Sequence, residues 1–390
     1  MKKKLIVLFI IALLVRLIFL ILAPDRPINL YDTPSWDAVA TNLLASRGFI
    51  DANGQPTSTR PPLYPIFLAI IYFIFGKNFF VVTVVQAIVG SATVIFIYLI
   101  AKEIFNNEKL AILAAYACAI WPALVVYCGI IASEILFIFL SCIFIYILIK
   151  AKTNTDYILA GVFLGLSNLT RSTYSLYPIF LLIFVLLFKK ENVSKVLIMF
   201  LFSILLVVPW TVRNYFAFKR FLFINTNAGE LFWSGTYLPW DGICKHNRDE
   251  NFYRLFPEEN PVDRDNKMFK EGIKNIISNP LGCLKLTVKK FFRFWFKPVG
   301  QELVSKKYPS LGFLMYIVQV LLVLLFFYGC IKLHMENFLV FPIGVLLLYM
   351  CIMHNLLAPI PRYRLPIEPF IILFALYAVK DLFCIIKNEF

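Results

Sequence analysis

Run after run of about twenty apolar residues is the feature that most restricts what this chain can become. A bilayer core of about 30 Å is crossed by roughly 20 residues of helix. Backbone groups in lipid must bond within their own segment, so open runs of this length fold as α-helices. Candidate spans lie at 4–23, 79–101, 110–128, 132–149, 157–171, 173–188, 195–212, 311–333, 338–355 and 366–386. The expected fold class is therefore all-α, a polytopic membrane protein of about ten transmembrane helices. It has an interfacial helical first external loop and a larger external loop before the last three helices. Charged residues are only 16% of the chain and hydrophobic ones 60%, where a soluble domain carries about 25% charge.

An eleventh apolar run, 62–76, opens on Pro61-Pro62 and ends at Gly76. At about 1.5 Å per residue it is too short to cross comfortably. Charge decides its placement. Lys2, Lys3 and Lys4 put the N-terminus in the cytoplasm, and no small-x-small cleavage site before Pro24 marks the first run as a signal peptide. With 62–76 held in the interface, Lys102/Lys109, Lys150/Lys152, Lys189/Lys190/Lys195, Lys332 and Lys387 all fall in the cytoplasm. If it crosses, all of them flip outward, against the positive-inside rule. The expectation is a multi-pass protein of the cell (plasma or inner) membrane with both termini cytoplasmic. It divides into a transmembrane core 1–212 with its first external loop 24–78, an external region 213–310 with interfacial helices, and C-terminal helices 311–390. The net charge of +15 sits mostly at the ends of apolar runs, where headgroups and topology account for it and nucleic acid is not a partner.

Of eight cysteines, Cys118, Cys128, Cys142, Cys330, Cys351 and Cys384 fall inside apolar runs and read as small hydrophobes. Cys244 and Cys283 share the long polar loop and could pair in an oxidising compartment. His246, His334 and His354 are scattered, and only His354 lies near an arginine cluster. Arg16, inside the first span, either snorkels or pairs.

The charges expected outside form a short set. Tyr31-Asp32-Thr33-Pro34-Ser35-Trp36-Asp37 precedes a helical pattern to Phe49. Its two carboxylates beside an aromatic suit a general base and a partner, or Asp32 or Ser35 caps the helix. Arg60-Pro61-Pro62 puts a guanidinium at headgroup level, for a bound phosphate or for ordinary lipid. Glu134 begins a span with no basic neighbour in sequence, and Arg171 ends Asn168-Leu169-Thr170. An intramembrane carboxylate is a functional candidate by default, with a structural Glu134–Arg171 pair or a dipole-favoured helix start as the other readings. Pro209-Trp210-x-x-Arg213-Asn214-Tyr215 and Pro361-Arg362-Tyr363-Arg364-Leu365-Pro366 place arginines among prolines, as a rigid anion clamp would.

These motifs, taken in order, resemble the GT-C superfamily of membrane glycosyltransferases, in the branch of protein O-mannosyltransferases and lipid A aminoarabinose transferases. The matching pieces run from Asp32 through Leu43-Leu44-x-x-x-Gly48-Phe49, Arg60-Pro61-Pro62-Leu63-Tyr64-Pro65, Ser133-Glu134-x-Leu136-Phe137 and Leu169-Thr170-Arg171 to the two arginine motifs just quoted, over residues 32–369. The resemblance implies transfer of a hexose or pentose from a polyprenyl-phosphate donor to a lipid, glycan or protein acceptor on the extracytoplasmic side. It implies Asp32 as the catalytic acidic residue, with Asp37 or Glu134 in support. Arg60 would contact the donor phosphate, with Arg171, Arg213, Arg362 and Arg364 as further phosphate-binding candidates. Trp36, Tyr64 and Tyr363 would line the donor or acceptor. Asp32-Thr33 stands where many relatives have two adjacent acids, so metal use is open: no cofactor is assigned, and a divalent ion would have only Asp32, Glu134 and His354 as candidate ligands.

The chemistry agrees with that assignment. Glycosyl transfer needs a carboxylate to take the acceptor proton and cations to neutralise the departing phosphate. A transporter or flippase of lipid-linked sugars would use the same arginines without catalysis, but with charges nearer the midplane. A polyprenyl-linked glycan polymerase or ligase would lack the early acidic loop.

Overall fold

The computed structural model describes residues 2–22, 32–188, 193–244, 252–301, 305, 308–336 and 340–389. His246, Lys189 and Lys190 lie outside the described residues, as does the side chain of His334. Among the described residues every regular element is a helix, apart from a single antiparallel bridge between Ile50 and Pro56. The elements are α1 (Lys2–Leu22), α2 (Thr33–Leu44), α3 (Leu63–Phe75), α4 (Phe79–Phe105), α5 (Glu108–Ile120), α6 (Pro122–Val126), α7 (Glu134–Lys150), α8 (Asn154–Thr170), α9 (Tyr177–Phe188) and α10 (Val193–Phe218). They continue with α11 (Ala228–Thr236), α12 (Phe252–Leu255), α13 (Pro261–Ser278), α14 (Pro280–Phe296), α15 (Pro309–Glu336), α16 (Phe341–Leu356) and α17 (Glu368–Glu389). The protein is a multi-pass, all-helical membrane protein.

By length and apolarity alone, four described helices can cross a bilayer: Lys2–Leu22, Phe79–Phe105, Val193–Phe218 and Pro309–Leu333. The expected span 110–128 is broken into Glu108–Ile120 and Pro122–Gly129, bent by 53°. The break is at Pro122, which has no N–H for the helical ladder. Arg16 is bound up with that break. It is buried rather than snorkelling, and its Nη1 donates to Ala12 O at 3.0 Å and to Ala119 O at 3.1 Å. Ala119 lies in the last turn before the break, where carbonyls lose their helical partners.

α3 matches the short run read from sequence. Its 13 residues end at Gly76, whose φ of 74° a residue with a Cβ rarely adopts. Trp36 and Ala40 of α2 pack with Tyr64, Leu68, Ile71 and Tyr72 of α3, so the first loop forms one unit with the short helix. α8 packs closely against α10. A Cβ on Gly161 would stand 2.4 Å from Met199 O, and one on Gly165 3.0 Å from Ser203 O. Small residues four apart let the backbones touch, which is how helices associate in lipid.

The region after α10, which runs on to Phe218, folds onto the end of this bundle. Asp265 of α13 accepts from the backbone N–H groups of Asn227, Gly229 and Glu230 at 3.1 Å each, closing the start of α11. The aromatic-basic segment 289–297 at the end of α14, within the external region expected to hold interfacial helices, is half buried. Lys290, Phe294 and Trp295 face inward at 2% exposure or less, while Val288 and Phe292 remain exposed. Cys244 and Cys283 do not bridge: Cys244 Sγ bonds Glu230 Oε1 at 3.0 Å, and Cys283 Sγ bonds Asn275 O at 3.6 Å.

Candidate active site

Asp32 stands immediately before α2, yet its side chain makes no capping bond to that helix. The carboxylate turns instead toward two arginines. Oδ1 accepts from Arg60 Nη2 at 2.9 Å, and Oδ2 accepts from Arg362 Nη2. Arg60 is itself positioned: its Nε donates to Ser35 Oγ at 2.9 Å, and the guanidinium lies 4.6 Å from the centre of the Trp36 ring. Ser35 thus holds the arginine rather than capping α2.

Glu134, the first residue of α7, forms the second node. Its Oε1 accepts from Arg171 Nη1 at 2.7 Å and lies 3.7 Å from Arg362 Nε. Arg171 also donates to Ser133 Oγ at 3.2 Å. Arg362 therefore joins both acids, and one ladder runs Arg60–Asp32–Arg362–Glu134–Arg171. Its members come from the loop before α2, the loop before α3, the start of α7, the end of α8 and the 3₁₀ turn Pro361–Ile367 before α17. Of these side chains Glu134 is 2% exposed, while Arg60, Asp32, Arg171 and Arg362 are each 18–22% exposed, so only Glu134 is withdrawn from the surface.

Electrostatics keep Asp32 charged. Burial alone would push Asp32 up, but the charges of Arg362 and Arg60 hold it far below the ordinary carboxylate range. Burial works against the Arg362 cation, and the charges of Glu134 and Asp32 more than restore it. Three guanidiniums face two carboxylates, leaving a surplus of one positive charge.

The ring of Tyr363 borders this ladder, 5.9 Å from the Arg171 guanidinium and 5.8 Å from that of Arg362. His354 stacks on Tyr363 at 5.5 Å and on Phe294 at 5.1 Å. Among the described residues no group of three His, Cys, Asp or Glu side chains could hold a metal ion. Of the candidate ligands, Asp32 and Glu134 are engaged by guanidinium groups, and His354 is a stacked ring.

Several residues expected here are placed elsewhere. Asp37 pairs with Lys77 at 2.8 Å and accepts from Tyr72 Oη at 2.9 Å, locking α2 to α3. Arg213 donates to Phe49 O at 2.6 Å and Thr57 O at 3.2 Å, bracing the loop that leads to Arg60. Arg364, fully buried, pairs with Glu368 at 2.7 Å and bonds the carbonyls of Phe294, Trp295 and Lys297. Tyr64 is buried, with its hydroxyl on Gln86 Oε1 at 2.8 Å, while Trp36 reaches the ladder through Arg60.

Sequence reasoning missed Ser133 as a ligand of Arg171. It also missed Lys290, whose Nζ donates to Gly235 O at 2.7 Å and Leu357 O at 3.0 Å. The helical spacing of Cys283, Leu286, Lys290 and Phe294, all buried in α14, is the signal that could have found it.

The fold and this ladder define a multi-pass, all-helical membrane protein with an arginine–carboxylate site at one end of its bundle. Residues 59–212 match the family described as "Dolichyl-phosphate-mannose-protein mannosyltransferase", and the chain resembles the GT-C superfamily of membrane glycosyltransferases. That stretch includes Arg60, Glu134 and Arg171 but neither Asp32 nor Arg362. A relative, "Putative mannosyltransferase YkcB" of Bacillus subtilis (strain 168), is 28% identical over 225 residues, which is 52% of this chain and 31% of the relative. The chain thus spans about a third of that relative's length. The crystal structure of ArnT from Cupriavidus metallidurans bound to undecaprenyl phosphate is similar at 13% identity and a TM-score of 0.47, over 96% of this chain and 77% of that one. The apo form gives 13% and 0.45, over 97% and 78%.

Proposed function

We propose that this protein moves a sugar from a polyprenyl-phosphate donor to an acceptor on the extracytoplasmic side of the cell membrane. The observation that carries this reading is the ladder of three arginines and two carboxylates drawn from distant segments. Its surplus of one positive charge suits the single negative charge of a phosphodiester.

Arg60, stacked on Trp36 in the first external loop, takes the donor phosphate, and Arg171 and Arg362 add further positive potential. Guanidinium groups bond phosphate oxygens through paired N–H groups and are more valuable where water is scarce. Asp32 takes the proton of the acceptor hydroxyl. The acceptor oxygen attacks the anomeric carbon, the bond from that carbon to the phosphate oxygen breaks, and the electron pair leaves with the polyprenyl phosphate. The leaving group gains negative charge, which the guanidiniums stabilise as it develops. One displacement of this kind inverts the anomeric configuration. The lysine distribution supports cytoplasmic termini and an extracytoplasmic site.

The test is incubation of the purified full chain in lipid nanodiscs with a panel of polyprenyl-phosphate sugars and simple acceptors, with and without a chelator. Transfer or hydrolysis of one donor, with inversion in the product, is the expected result. Turnover of lipid pyrophosphate sugars alone would overturn the reading, and the chelator arm reads any need for a divalent ion.

A further inference from the structure

The ladder contains two atoms whose bonding is unfinished, and they face one another across a single ion pair. Glu134 Oε2 is buried with no hydrogen-bond partner, and so is Arg362 Nε. Arg362 Nε lies 3.7 Å from Glu134 Oε1, too long for a hydrogen bond. Its Nη2 meanwhile holds Asp32 Oδ2. Oδ1 of the same carboxylate is taken by Arg60. In this arrangement the carboxylate assigned to receive the acceptor proton has both oxygens occupied.

We propose that Arg362 is a two-position side chain that masks Asp32 and releases it by turning onto Glu134. This rests on the transferase reading above. In the second position the guanidinium engages Glu134 side by side, Nε to one oxygen and a terminal nitrogen to the other. Paired fork-to-fork contacts of this kind are the strong form of the arginine–carboxylate bond.

An acceptor hydroxyl on Asp32 makes the exchange favourable, because release without it would strip a charge-assisted bond from the Asp32 carboxylate. The masked state leaves Glu134 Oε2 and Arg362 Nε unpaired, and buried unpaired polar atoms are costly. The released state pairs both. It also vacates Asp32 Oδ2, which the acceptor O–H then fills, so no carboxylate oxygen loses a partner. The move is short, since Arg362 already touches both acids. Arg171 holds Glu134 in place throughout, through its 2.7 Å contact. Glu134 and Arg362 are thus positioning residues: they act on the acceptor only through Asp32.

The device makes the base available when an acceptor hydroxyl takes Oδ2. A donor bound without acceptor faces a carboxylate still covered by a guanidinium. Donor hydrolysis by stray water is then slower than transfer.

The experiment compares wild type with Glu134→Gln in nanodiscs, using whichever polyprenyl-phosphate sugar the panel identifies. Glutamine retains an oxygen for Arg171 but has neither the charge nor the second acceptor that draws Arg362 away. The expected result is a kcat lower by roughly 100-fold, the scale of a lost general base, with donor Kd within about twofold of wild type. A merely structural role would lower donor binding and folded yield together. Should Glu134→Gln fold poorly, Arg362→Lys tests the same point, because an ammonium cannot engage Glu134 through a fork. It should bind donor and lose kcat similarly. Wild-type kcat in either folded variant, or a donor-plus-acceptor complex with Arg362 still on Asp32, overturns the proposal. Absence of turnover by wild type itself would instead strike the transferase reading.

Discussion

Arg362 and Arg364 sit two residues apart in one 3₁₀ turn, and their environments are opposite. Arg364 is fully buried and completes its bonding with Glu368 and the carbonyls at the end of α14. Arg362 is a fifth exposed, touches two acids from distant segments, and leaves its Nε unbonded. The same contrast separates Asp32, held between two guanidiniums, from Asp37, tied to Lys77 and Tyr72 at the α2–α3 contact. A residue that holds the fold together uses its bonding capacity on fixed neighbours. A residue that handles substrate keeps some in reserve, or spends it on partners a ligand can displace.

The predictions probe that contrast, largest effect first. Asp32→Asn should lower transfer by roughly 10²–10⁴-fold, the range of general-base catalysis, with donor Kd and Tm nearly unchanged. Full activity would remove Asp32 from the mechanism. Arg364→Met should destabilise by about 3–5 kcal/mol, because it strands the buried Glu368 charge. Detergent-solution Tm and folded yield would fall sharply, whereas Arg362→Met should fold like wild type. Equal losses in the two variants would erase the distinction between them. Arg60→Lys should raise donor Kd by roughly 10- to 100-fold, about the 1.5–3 kcal/mol scale of a hydrogen bond to a charged group, and an unchanged Kd would move the phosphate elsewhere.

A fourth test uses pH on the structural side. Burial lowers Lys290 to about 8, below the unfolded lysine value of about 10.4. Between these values the unfolded chain binds more protons than the folded one, so stability rises with pH across that window. Wild-type Tm should climb from pH 8 to 10 relative to Lys290→Met, and parallel curves would contradict the burial of a charged amine. Asp37→Asn should have the smallest effect, within about 1 kcal/mol of stability, since its Lys77 partner is half exposed. A large loss of kcat there would place Asp37 in the chemistry after all.

Much of the fold was legible. The short run 62–76 and the helices around it appear close to where apolar length placed them, because a chain in lipid has few options besides the helix. The exceptions have local causes. Pro122 breaks one expected span, and α14 turns Lys290 inward because backbone carbonyls at the ends of α11 and α16 need donors. Of the site, the members could be named as candidates from their placement at span ends. Their sorting into ladder and scaffold could not, because Arg362 and Arg364 have near-identical sequence surroundings.

By itself the sequence determined an all-helical membrane protein and a short inventory of charges at helix ends. Both follow from the cost of unpaired backbone and side-chain charge in lipid, which acts on each segment separately. Only the tertiary structure decided that Asp32, Arg60, Glu134, Arg171 and Arg362 meet, while Asp37, Arg213 and Arg364 brace the frame around them. An ion pair spanning up to 330 positions of chain has no local signature. It exists because helix packing brings its two ends together.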